Sequence, residues 1–121
     1  MVLAVGEAVL GQLHPQSVRM ATGLGGGLGG THQEMCGALS GGVLVIGGLL
    51  GRQNLEQDDE PAYILAARYR ERFLAELGDT QCAPLRERVQ APGGLESCAE
   101  IVERAAAILL ELLAWTEPGT L

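Results

Sequence analysis

Residues 23–51 read GLGGGLGGTHQEMCGALSGGVLVIGGLLG, and the way this stretch divides decides the fold. Its first eight residues, Gly23 to Gly30, are six glycines and two leucines. Each glycine inside a helix costs about 1 kcal/mol relative to alanine, so the run is neither helix nor strand interior. It predicts a tight loop, acting as a spacer or as a place where backbone approaches a ligand or another helix. Thr31 and Glu34 then have the spacing of a capping box, which predicts a helix from about His32 to Leu50, closed by Gly51. No residue from Met35 to Leu50 is charged, and Gly37, Ala38, Gly41, Gly42, Gly47 and Gly48 allow close approach of other backbones. A helix without a polar face belongs at the centre of a bundle, surrounded by others. A membrane span needs about 20 apolar residues, so this glycine-diluted run predicts a buried helix of a globular domain instead.

The flanking sequence reads as helices around that centre. Val2 to Leu13 predicts a first helix, stopped at His14-Pro15 because the residue before proline is pushed out of helical space. Gln16 to Thr22 predicts a short helix ending at Gly23. After the polar loop Gln53–Glu60, Pro61 opens a helix over Ala62–Leu77 with Leu65, Tyr69, Phe73 and Leu77 in one i,i+4 row. Cys82 to Val89 predicts another short helix, Ala91-Pro92-Gly93-Gly94 a turn, and Leu95 to Trp115 a terminal helix. In that last helix Cys98, Ile101, Val102, Ala105, Ile108, Leu109 and Leu112 form an apolar stripe, and Glu100 pairs with Arg104. The expected fold is all-α: residues 1–121 as a single bundle of five or six helices around the Gly-rich one.

Composition narrows the chemistry. The chain has 121 residues, 47% hydrophobic and only 3% aromatic, so it folds around an aliphatic core. Its eight basic residues are all arginine. The absence of lysine removes a Walker-type phosphate loop and a Schiff-base lysine. A net charge of −7 repels phosphate backbones, which excludes nucleic acid as a partner. Three cysteines cannot all pair within one chain, and no signal-like leader opens it, which points to a reducing cytoplasm.

Cys36 stands out, directly after the glycine loop and in the first turns of its expected helix. Unpaired N–H groups and the helix dipole at that end favour a thiolate and predict a lowered pKa. His32, four residues earlier, would share its helix face and could accept a proton. Against this stands the ordinary role of a free cysteine, a small hydrophobe in a packed helix. Cys82 and Cys98 each start a predicted helix, so three thiols could face one region. No Cys-x-x-Cys occurs, which excludes thioredoxin-type and zinc-ribbon motifs. Gly25-x-Gly27-x-x-Gly30 formally matches a dinucleotide fingerprint but lacks the strand that must precede it. Residues 57–60 read as solvated loop charges.

Gly23-x-Gly25-Gly26-Gly27-Leu28-Gly29, then Cys36-Gly37-Ala38-Leu39-Ser40-Gly41, then Cys82 and Cys98, resemble the C_GCAxxG_C_C family, to which a redox role is assigned. The likeness runs over nearly the whole chain. It implies a small bacterial redox protein that uses its cysteines as a thiol/disulfide pair or as iron–sulfur ligands. Under that resemblance Cys36, Cys82, Cys98 and His32 form the redox site. The three cysteines are the metal ligands, and Gly25, Gly26, Gly27 and Gly29 approach the cofactor. The chain departs from the family at its first cysteine, whose position falls at Val5 or Gly6. A fourth ligand would have to come from His32, another subunit or outside, so the implied iron–sulfur cluster or other metal has a rival expectation of no cofactor. The alternative function is a non-catalytic helical interaction domain. A homodimer and a redox partner are the expected associations, with no membrane.

Overall fold

A computed structural model describes residues 1–90 and 97–114. A π-helical turn, Val2–Gly6, runs into α1 (Glu7–Leu10). Then follow α2 (Pro15–Met20), a 3-10 turn at Thr22–Leu24, α3 (Gly37–Leu50), α4 (Glu60–Leu77), α5 (Cys82–Gln90) and α6 (Cys98–Ala114). The protein is all-α, as its composition and periodicities predict. Among the described residues β pairing is limited to one isolated bridge, Met35 with Gln81. No helix among them is long and apolar enough to cross a membrane. The predicted turn at Ala91–Gly94, the Leu95 start of the last helix and Trp115 lie outside the described residues.

The core forms where α3, α4 and α6 meet, with the N-terminal turn packed on α3. From α4 the predicted row of Leu65, Tyr69, Phe73 and Leu77 is wholly buried. Tyr69 and Phe73 meet edge to face, with ring centroids 6.2 Å apart. The Tyr69 hydroxyl donates to the Ala38 carbonyl at 2.8 Å, and its ring lies directly on Gly42. Ile101, Ala105, Ile108 and Leu109 of α6 close the core, and the expected Arg104–Glu100 pair forms at 3.1 Å. Gly78 ends α4 in the left-handed conformation, its N–H bonded to the Leu74 carbonyl at 2.8 Å. The Arg88 guanidinium donates to the neighbouring Leu77 carbonyl and so ties α5 to the end of α4.

Three expectations about the elements are corrected. The first helix stops at Leu10, because Gly11 turns at φ +81° before His14-Pro15 is reached. There Pro15 begins α2, and the His14 ring nitrogen accepts from the Gln16 N–H at 3.1 Å as its cap. The central helix starts at Gly37, not His32, with Cys36 as its N-cap residue. Residues 34–36 are drawn into extended pairing with residues 80–82, and those tertiary hydrogen bonds defeat the capping box. Thr31 instead donates its hydroxyl to the Gly27 and Leu28 carbonyls. Finally, α3 is not surrounded. The N-terminal turn, α1, α4 and α6 cover one side, while Val43, Leu44 and Leu49 remain 37%, 43% and 38% exposed.

Candidate functional site

The glycine loop winds back on itself through consecutive left-handed residues. Gly26, Gly27, Leu28, Gly29 and Gly30 all have φ between 61° and 72°. Long-reaching backbone bonds hold it, from the Gly29 N–H to the Gly23 carbonyl at 2.8 Å and from the His32 N–H to the Gly26 carbonyl at 2.9 Å. The loop therefore places backbone against the start of α3. A Cβ added at Gly37 would sit 3.4 Å from the Gly25 Cα and from the Leu24 carbonyl oxygen. It also presses on α5: a Cβ at Gly27 would fall 2.5 Å from the Cys82 Cβ and 3.1 Å from its sulfur. Gly27 combines that contact with φ +68°, so two separate constraints require glycine there.

Beside the loop, the Cys36 N–H donates to the Thr80 carbonyl at 2.8 Å and the Cys82 N–H to the Glu34 carbonyl at 2.9 Å. These bonds flank the Met35–Gln81 bridge and define a two-strand antiparallel contact. Side chains alternate across such a contact, so Cys36 and Cys82 lie on the same face as diagonal neighbours. Diagonal neighbours stand about 7–8 Å apart between Cα atoms, roughly an ångström beyond what a disulfide spans.

All three cysteines line one cavity of about 650 Å³, together with His32, Arg86, Gly25, Gly26 and Gly27. Gly29 is not among its lining residues. The thiols are free: Cys82 is buried, Cys36 half-buried and Cys98 exposed at the first residue of α6. All three thiols that the sequence pointed to border this cavity, each at the start of a helix: Cys36 at α3, Cys82 at α5 and Cys98 at α6. His32 lies outside any helix, at φ 59°, and meets the Arg86 guanidinium at 2.6 and 2.7 Å from its two ring nitrogens. Arg86 was not foreseen. Its signal was the spacing Cys82–Arg86, one helical turn, which puts both side chains on one face of α5.

The expected lowering of the Cys36 pKa is reversed. Burial raises it, and charge on Cys82 or Cys98 would raise it further. The N–H groups of Ala38 and Leu39, at the start of α3, pull in the other direction but are outweighed. Cys36 therefore rests as a neutral thiol at neutral pH.

The implied iron–sulfur centre meets a donor set one thiolate short. At the position of the missing cysteine, Val5 is 1% exposed within the hydrophobic core and Gly6 faces Leu13 and Val45; neither lines the cavity. Among the described residues no three His, Cys, Asp or Glu side chains are gathered so that they could hold a metal ion. The donors present thus fall short of the four that such a cluster takes from one chain.

No curated protein sequence and no solved structure matches the chain. A family model does, over residues 1–112, and its description is "Putative redox-active protein (C_GCAxxG_C_C)". With the family's glycine loop, its Cys36-Gly37-Ala38 motif and its two later cysteines meeting at one cavity, the chain belongs to the C_GCAxxG_C_C family.

Proposed function

We propose that the protein is a thiol redox carrier whose working pair is Cys36 and Cys82. The observation that supports this most is the Met35–Gln81 bridge, which sets the two cysteines on one face at the edge of a shared cavity. From the usual spacing of diagonal neighbours, closing such a pair takes about an ångström of approach. In the step, a thiolate attacks one sulfur of a disulfide acceptor and expels a thiol. The second cysteine then displaces the other half. A protein disulfide forms, and two electrons and two protons leave with the acceptor as two thiols. The step needs a proton to leave Cys36, which rests neutral, and access to Cys82, which is buried. Cys98 lies open at the cavity edge, where it can exchange with either.

The test is equilibration in glutathione redox buffers followed by alkylation and peptide mass mapping. The expected product is a Cys36–Cys82 disulfide with Cys98 still alkylated. Three thiols inert to oxidant would instead support the interaction-domain reading. Iron and acid-labile sulfide assayed after anaerobic purification address the cluster expectation; stoichiometric amounts of both would displace the dithiol reading. The proposal includes a cytoplasmic setting, a separate redox partner and self-association of the chain.

A further inference from the structure

We infer that the cavity beside the thiols binds a small aliphatic carboxylate. The chain carries 15 acidic and 8 basic residues, yet among the described residues no Asp or Glu lines this cavity, whereas Arg86 and His32 do. Among the described residues Arg86 has no carboxylate partner; its guanidinium meets only the His32 ring. The N–H groups of Gly26 and Gly27, also on the lining, donate to no acceptor among the described residues. Gly27 is buried, and buried N–H groups in folded proteins are nearly always paired, so its unpaired donor beside an uncompensated cation marks a place for an anion.

The rest of the wall specifies the body of the ligand. Val2, Leu24, Leu85, Ile101 and Val102 are aliphatic, and among the described residues no Phe, Tyr or Trp lines the cavity. With no aromatic surface on which a planar ring could stack, the wall suits a flexible alkyl chain. At about 650 Å³ the space falls within the range of small-molecule sites. A carboxylate is the small group that meets a guanidinium with paired charge-assisted hydrogen bonds and accepts from a backbone N–H. This inference deepens the redox reading by naming what shares the cavity with the dithiol, and rests on that reading only for the cavity's importance.

The test titrates the reduced full-length protein with octanoate and, in parallel, with octanol, following amide shifts by NMR. Octanoate is expected to perturb the amides of Gly26, Gly27 and Ile101 and to bind at least about tenfold more tightly than octanol, the worth of a charge-assisted hydrogen bond. Arg86→Gln should remove that preference, and Arg86→Lys should retain most of it. Equal binding of acid and alcohol, shifts confined to another surface, or no shifts at millimolar octanoate would each overturn the inference. The wild-type comparison decides by itself should Arg86→Gln lose helicity. A dithiol that cycles without binding octanoate sinks this inference and leaves the redox reading standing. The converse result does the opposite.

Discussion

Cys36 shows two effects on one sulfur pulling in opposite directions. Its position as the N-cap of α3 exposes it to the Ala38 and Leu39 N–H groups, which favour the thiolate, but partial burial favours the thiol and prevails. A folded-state pKa raised above the unfolded value means that the native state holds the proton over a window where the unfolded chain has lost it. Stability is therefore full below the ordinary thiol value of 9.0 and declines as pH rises above it. The same shift governs reactivity, since only the thiolate is alkylated. With iodoacetamide at pH 7.5, Cys36 should react more slowly than the exposed Cys98, and its rate should keep rising with pH beyond 9.0. Mass-mapped alkylation from pH 7 to 10.5 measures this. A Cys36 rate that levels off below pH 8 would show that the helix start outweighs burial.

The helices themselves differ in how plainly the sequence announces them. The i,i+4 row of α4 and the stripe of α6 were legible because burial of a periodic face is a local pattern. The start of α3 was not, because what displaces it is a pairing between residues 34–36 and 80–82, more than forty positions apart in the chain. Nothing local to Thr31 or Glu34 carries that information. The site followed the same division: three cysteines could be picked out by position, while Arg86 and the Cys36–Cys82 diagonal depend on where α5 docks. Small residues in α3 were legible as a group, but their separate roles are set by what each meets. Gly42 lies under the buried Tyr69 ring, so a methyl group there collides with a side chain that cannot move aside. Gly47 is exposed and meets nothing within 4 Å. Alanine gains about 1 kcal/mol in helix propensity at either position, whereas overpacking costs about 1–3 kcal/mol or more. Gly42→Ala should therefore lower unfolding stability by about 1–2 kcal/mol, and Gly47→Ala should raise it by up to about 1 kcal/mol. Urea denaturation of the two variants checks both. Equal effects would mean that α3 does not pack on α4 through Gly42.

At the scale of the whole molecule, the uncovered side of α3 is where self-association is expected. A helix on the outside of a bundle ordinarily carries charge on its free face, as α4 does with Arg68, Arg70, Glu71 and Glu76. The free face of α3 has none: Val43, Leu44 and Leu49 are each more than a third exposed, with Gly47 among them. Contiguous apolar surface on a small protein marks a contact site, and glycine in it allows two backbones to approach closely. A net charge of −7 opposes association of identical copies, so an uncharged patch is where that repulsion is weakest. A stable dimer covers about 800 Å² on each partner, which one helix face with its neighbours can supply. We expect a dimer at tens of micromolar by size exclusion with light scattering. Leu44→Glu should shift it to monomer without loss of helicity, because Leu44 is 43% exposed and outside the core. The shift should be concentration-dependent, since association stabilises by mass action. A wild-type protein that remains monomeric over that range would leave the exposed face of α3 a property of the isolated fold, with no part in assembly.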